Sequence, residues 1–152
     1  MSDLKDRLQS DLTTAMKARD ELRTATLRMA LTAVKTEEVA GGAARTLADD
    51  EVLKVLAREA KKRRESATAY ADAGRTELAE REDAERAVIE AYLPQQLTDE
   101  ELDALVRAAV EEAGATSPQQ MGAVMKLVTP RVAGRAEGGR VAAAVKKALA
   151  AG

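Results

Sequence analysis

Apolar residues recur every three or four positions through most of the chain, which is the spacing of one face of an α-helix. Leu4, Leu8, Leu12 and Met16 show this spacing first and predict a helix over about 2–18. The same spacing predicts six further helices, which begin near Asp20, Asp49, Thr76, Thr98, Met121 and Gly139. No stretch alternates apolar and polar residues as a half-buried strand does. The pattern therefore predicts an all-α fold.

Glycine and proline predict where these helices end. Gly41-Gly42 closes the second helix, Gly74 closes the third and Gly114 closes the fifth, because glycine readily adopts the left-handed conformation found after a helix. The sixth helix is expected to stop before Pro130, since proline lacks the backbone donor that a continuing helix needs.

The segment Pro94-Gln95-Gln96 is the predicted boundary between two units. Thr98 and Glu101 follow it with the spacing of a capping box, so a new helix begins almost at once. We therefore predict an N-terminal helical bundle of about four helices over 1–93, followed by a small three-helix domain over 94–152.

Two features of the third and fourth helices do not follow the common pattern. Arg63 falls within the apolar stripe of the third helix, where its stem packs only if the guanidinium reaches an acid or solvent. The first half of the fourth helix is almost entirely polar, whereas Val88, Ile89 and Tyr92 make its end apolar. We expect only that end to pack firmly, with the middle of the helix bridging through solvent.

The composition removes many enzyme classes. The chain contains no Cys, which excludes disulfides and thiolate nucleophiles, and no His, which removes the commonest general base and metal ligand. No glycine-flanked serine elbow occurs, although a serine–lysine pair is chemically conceivable. The sequence therefore predicts no catalytic residue and no cofactor.

Two acidic clusters raise the question of a metal site. They are Asp49-Asp50-Glu51 and Asp99-Glu100-Glu101, and hard cations prefer carboxylate oxygens. Both clusters lie where helices are predicted to begin, and acids there cap free N–H groups and complement the helix dipole. We therefore predict no metal site.

Basic charge is concentrated near the C-terminus, although the whole chain has a net charge of only -2. Residues 94–120 contain six acids and a single basic residue, Arg107. Residues 121–152 contain one acid, Glu137, and six basic residues that are candidates for contacting phosphates: Lys126, Arg131, Arg135, Arg140, Lys146 and Lys147. The run from Arg58 to Arg64 is also basic and could bind phosphates, but a solvated face is favoured there, since acids elsewhere in 1–93 offset it.

Residues 134–141 have the two glycine positions of a phosphate-binding P-loop, but Arg140 and Val141 replace its lysine and hydroxyl residue. Nucleotide hydrolysis is therefore not expected. Gly138 and Gly139 still open a helix whose free N–H groups, flanked by basic side chains, are suited to a backbone phosphate. The alternative is an ordinary tight turn with solvated arginines.

Five segments together resemble the YqeY family over essentially the full length. The most specific of them is Tyr92-Leu93-Pro94-Gln95-Gln96-Leu97. The others are Leu27-Arg28-Met29-Ala30-Leu31, Glu59-Ala60-Lys61-Lys62-Arg63-Arg64-Glu65-Ser66, Met121-Gly122-Ala123-Val124-Met125 and Gly134-Arg135-Ala136-Glu137-Gly138. The chain departs from the family at Glu137, where Asp is usual, and at Gly139, where a basic residue is common.

The resemblance implies a two-part helical architecture related to the tail of the B subunit of aspartyl/glutamyl-tRNA amidotransferase. That tail helps to engage tRNA, whereas glutamine hydrolysis and transamidation belong to other domains. We therefore expect an accessory protein that binds tRNA or another structured RNA without chemistry of its own. The alternatives are an adaptor for an amidotransferase or another protein, and a glutamine-dependent carbon–nitrogen ligase inferred by family association.

The start of the sequence and its hydropathy bear on location. Residues 1–6 alternate charged and apolar positions, unlike a signal peptide, and no run approaches the ~18 apolar residues of a membrane span. We expect a cytoplasmic monomer that does not bind membranes.

Overall fold

The computed structural model describes residues 2–151, and within them every regular element is helical. The all-α prediction is confirmed. Seven α-helices and one 3-10 turn follow one another as α1 Asp3–Lys17, α2 Glu21–Val39, α3 Asp49–Asp72, α4 Thr76–Glu90, α5 Asp99–Ala113, the 3-10 turn Pro118–Gln120, α6 Met121–Val132 and α7 Gly138–Ala151. The chain divides between Leu93 and Pro94 into two compact units, which we call unit 1 and unit 2.

Unit 1 is built around α2, which contacts α1, α3 and α4. Apolar residues on more than one face of α2 explain this position, since Leu27 and Val34 are fully buried with Leu8 of α1 and Leu56 of α3. Burying one such side chain stabilises a fold by about 1.5–3 kcal/mol. The Asp20 carboxylate accepts from the backbone N–H of Arg23 and so begins α2 as predicted.

Unit 2 contains α5, α6 and α7 around a second core that includes Val106, Val124 and Val145. The predicted capping box begins α5, because Glu101 N–H donates to Thr98 Oγ1 at 3.1 Å and Thr98 N–H donates to Glu101 Oε1 at 3.0 Å. The bond from Thr98 N–H stabilises the charged carboxylate and holds the pKa of Glu101 below its ordinary value.

The prediction that α6 stops before Pro130 is wrong. The helix continues through Pro130 to Val132 and ends at Ala133, which has a left-handed φ of 48°. Val128 and Val132 flank the proline and are both buried in the core of unit 2. Their burial offsets the one hydrogen bond that proline removes within the last turn.

The expectation that only the end of α4 packs firmly, with the middle of the helix bridging through solvent, is also wrong. Ala79 and Glu85 are buried, and α4 packs along α3. Arg63 of α3 is 3% exposed. Its Nη1 donates to Glu59 Oε1 at 3.2 Å, and its Nε lies 3.4 Å from Glu85 Oε2. Arg63 thus reaches the acids that its place in the apolar stripe requires.

Tyr92 fixes the end of unit 1 to α1. Its hydroxyl donates to Asp11 Oδ2 at 2.5 Å, and the Arg7 guanidinium carbon lies 4.8 Å from the ring centroid. Burial, reinforced by the hydrogen bond to the Asp11 carboxylate, raises the pKa of Tyr92 to about 12. The first residue of the most specific family segment therefore joins the turn after α4 to α1.

Replacing Tyr92 with Phe is expected to lower the free energy of unfolding by about 1–2 kcal/mol at pH 7, because a buried hydrogen bond to a carboxylate is removed. Folding raises the phenol pKa above its unfolded value near 10, so this contribution is complete below pH ~10 and disappears as pH approaches 12. Urea titrations at pH 7, 10 and 11.5 measure both effects. Tyr70→Phe is the matched control, and an equal loss of stability in both variants would contradict the assigned bond.

Candidate nucleic-acid interface

The six basic residues predicted to contact phosphates fall into two groups in unit 2. Arg131, Arg135 and Arg140 are half-buried, whereas three lysines are exposed, Lys126, Lys146 and Lys147. The two groups make different contacts.

Two of the arginines pair with acids of the preceding acid-rich segment. Arg131 Nη2 donates to the Glu112 carboxylate near the end of α5. Arg140 Nη2 donates to Asp99 Oδ1 at 2.9 Å and to the carbonyl oxygen of Leu97 at 3.1 Å. These contacts join α5 to α6 and α7, and they neutralise part of the basic charge counted along the sequence.

Arg135 closes the end of α6. Its Nε donates to the carbonyl oxygen of Val132 at 3.1 Å, and its Nη2 donates to that of Arg131 at 2.7 Å. The last carbonyls of a helix lack partners within the helix, and a cation there also complements the helix dipole. The donors that make these bonds are not available to an external phosphate while the bonds exist.

Gly138 and Gly139 open α7, as the sequence predicts. A Cβ built on Gly139 would lie 3.4 Å from Glu137 Oε1, so the side chain of Glu137 lies beside the first turn. A carboxylate at this position competes with any external phosphate for the N–H groups of the turn. Both glycines are exposed, and neither has a side chain that could position a ligand.

Exposed cations instead meet between α5 and α7. A cleft of about 250 Å³ is lined by Arg107 of α5 and Lys147 of α7, above the apolar side chains of Val106 and Ala148. Asp103 also lines this cleft. Lys146 is the neighbour of Lys147 in sequence and is equally exposed. We call Arg107, Lys146 and Lys147 the α5–α7 cation group.

Within the part of the chain that the structure describes, neither the α5–α7 cation group nor Lys126 forms an ion pair. Lys126 lies on α6 and does not line the α5–α7 cleft. Arg107 was overlooked by sequence reasoning because it is the only base in an acidic segment. No pattern in the sequence indicates its place, because only the packing of α5 against α7 brings Arg107 to Lys147.

A carboxylate cluster would indicate a metal ion as the ligand, and a long apolar helix would indicate a membrane. Among residues 2–151, no group of three or more acidic side chains is placed to hold a metal ion. None of the helices in that range combines the length and the apolar content needed to cross a bilayer.

No curated protein matches the chain significantly. The sequence pattern of the family described as Yqey-like protein matches residues 5–149, which is nearly the whole chain. This match confirms the resemblance seen in the five sequence segments. The chain therefore belongs to the Yqey-like protein family.

Proposed function

We propose that this protein binds a structured RNA, with tRNA the leading candidate, through the α5–α7 cation group of unit 2. The observation that carries the proposal is that Arg107 and Lys147 line one cleft while neither is paired with an acid among residues 2–151. Exposed and unpaired cations release counterions when they meet phosphates, which is the main source of sequence-independent affinity. Family membership supports tRNA as the ligand through the resemblance to the amidotransferase tail.

Unit 2 is better suited to contacts with the RNA backbone than to contacts with bases. Tyr70 and Tyr92 are the only aromatic residues of the chain, so residues 94–152 contain no ring on which a splayed base could stack. Double-stranded RNA is recognised largely by shape and by phosphate and 2′-OH contacts. A folded RNA held by charge is therefore the ligand class that we propose.

The predicted site residues have distinct roles in this proposal. Lys146 and Lys147, with Lys126 as an outlying contact, supply charge to the RNA. Arg131 and Arg140 join α5 to α6 and α7, and Arg135 closes the end of α6. Amide transfer from glutamine lies outside the proposal, because the related tail leaves that chemistry to other domains. We propose that this binding takes place in the cytoplasm.

Replacing the α5–α7 cation group with glutamine (R107Q/K146Q/K147Q) is expected to weaken tRNA binding and to flatten its salt dependence. The slope of log affinity against log salt should fall by about one for each phosphate that the variant no longer neutralises. Filter binding between low and physiological salt measures both quantities. The melting temperature of the variant should stay close to that of the parent protein, because these side chains are exposed.

The matched control is K17Q/K35Q/R75Q, which removes two lysines and one arginine that are exposed on unit 1. It lowers the total charge equally, so an equal effect in both variants would show attraction by net charge alone. Failure of the parent protein to retain tRNA even at low salt would refute the proposal.

A further inference from the structure

A trough runs between α2 and α3 on unit 1, and it includes none of the residues of the proposed RNA site. A cleft of about 570 Å³ is lined by both helices and adjoins a second cleft of about 430 Å³. The two clefts share Glu37, Val55 and Arg58. We call them together the α2–α3 trough.

The trough has the length of a short helix. Met29 of α2 lies beside Arg63 of α3 at one end, whereas Glu37 pairs with Arg58 further along, so the two helices run in opposite directions. On α3 the lining extends from Glu51 to Lys62. At 1.5 Å per residue this is about 16 Å, or three turns of an α-helix.

Its floor is apolar and partly exposed. Met29, Ala33 and Val55 line it; Met29 is 47% exposed and Ala33 is half-buried, whereas Val55 is buried. A second methionine, Met16, is 49% exposed on the other side of Arg28, with its sulfur 3.8 Å from Arg28 Nη2. Methionine side chains adapt to the shape of a partner, and large exposed apolar side chains placed together are typical of an interaction surface.

The acids of the trough already have basic partners within unit 1. Glu37 pairs with Arg58 at 3.2 Å, Glu51 pairs with Arg45 at 2.7 Å and Glu59 pairs with Lys62 at 3.1 Å. Arg28 and Lys54 also line the trough, and neither forms an ion pair with any carboxylate of residues 2–151. The trough therefore has unpaired positive charge on both of its sides.

A buried guanidinium lies beside the trough, and Glu59 and Glu85 already balance its charge. The Arg63 side chain is only 4% exposed, and its Nε has no hydrogen-bond partner. Its Nη2 contacts the Met29 sulfur at 3.6 Å, which is a weak acceptor. Movement of the flexible Met29 side chain would open this donor to an acceptor in the trough.

We propose that the α2–α3 trough docks an acidic amphipathic helix of a partner protein. The apolar face of that helix covers Met29 and Ala33, and its carboxylates meet Arg28 and Lys54. A polyphosphate fits less well, because Glu37 and Glu59 in the same trough repel evenly spaced phosphates. A helix can instead place its acids only at the positions that face basic side chains. This surface is independent of the RNA proposal.

A stapled, fluorescent peptide with the sequence of residues 98–114 is a suitable probe, since α5 is an acidic amphipathic helix with its own capping box. We expect the full-length protein to bind it in a fluorescence anisotropy titration. A second peptide with every acid changed to glutamine should bind at least about tenfold more weakly, which corresponds to the loss of about 1.4 kcal/mol. The R28E/K54E variant should bind the acidic peptide more weakly by a similar factor.

Two control variants separate this proposal from others. K17E/R75E reverses two exposed charges elsewhere on unit 1 and should leave peptide binding unchanged, as should R107Q/K146Q/K147Q on unit 2. Absence of binding up to about 1 mM peptide, or equal binding of the acidic and neutral peptides, would overturn the proposal. If tRNA displaces the peptide and R28E/K54E also lowers tRNA affinity, the trough binds RNA and the proposal of a docked helix is overturned.

Discussion

Replacing Arg63 with alanine is expected to lower the free energy of unfolding by about 3–5 kcal/mol, because the change truncates a buried side chain and takes one of two basic partners from a buried acid. Glu85 is 8% exposed and lies 3.4 Å from Arg63 Nε, and in the variant it keeps only the more exposed Arg81 at 3.3 Å. Glu59 is also left without Arg63, but it keeps Lys62 at 3.1 Å. Urea unfolding followed by circular dichroism at pH 7 measures the decrease. A change this large approaches the whole stability of a small helical bundle.

Two comparisons isolate the buried pair from general effects of removing a charge. Arg58→Ala removes an exposed partner of Glu37 from the same helix and should cost no more than about 1 kcal/mol. The double variant R63M/E85L removes both charges and keeps the volume, so it should be more stable than Arg63→Ala alone. Equal costs for Arg63→Ala and Arg58→Ala would show that the Arg63–Glu85 contact does not form.

Sequence reasoning identified the unusual position of Arg63 but not its partner. Periodicity within α3 is local, and it places Arg63 on the apolar face without reference to any other element. Glu85 is 22 residues away on α4, whose many charges suggested solvent. Only the packing of α4 along α3 shows that Glu85 is buried, whereas Asp83 and Ala87 on the same helix are exposed. Long-range pairing of charges was the missing information.

The candidate interface also depends on charge pairing between helices, which the sequence does not show. A count along the sequence assigns all six basic residues of 121–152 to one class. Folding brings the acid-rich α5 against α6 and α7, and this pairs Arg131 and Arg140 with acids but leaves the lysines exposed. The same packing brings Arg107 to Lys147. The sequence shows that basic charge is concentrated in this segment, but it could not predict which of the basic residues remain available to a ligand.

Helix positions were more accessible to sequence reasoning, because capping and periodicity act over a few residues. The Thr98–Glu101 box and the left-handed Gly114 are local features, and the structure confirms both. Pro130 is the exception, because the helix continues through it. Proline predicts a helix end only when tertiary packing does not hold the helix on both sides of it, as Val128 and Val132 do here.

Leu97→Ala is expected to unfold unit 2 while unit 1 keeps its structure. Leu97 is 7% exposed within the second core, its N–H donates to the Arg135 carbonyl at 2.7 Å, and its own carbonyl accepts from Arg140. Truncating a buried leucine costs about 2–5 kcal/mol, which is comparable to the entire stability of so small a unit. Hydrogen exchange should therefore show loss of protection in α5, α6 and α7 with protection retained in α1 to α4.

Leu105→Ala is the matched control for this prediction, because Leu105 is only partly buried against the same core and its truncation leaves a smaller cavity. Unit 2 should remain folded in that variant. We expect the two units to unfold separately because each has its own core: Tyr92 belongs to the first core and Leu97 to the second. Equal loss of protection in α1 to α4 and in α5 to α7 after Leu97→Ala would show that the two cores do not unfold separately.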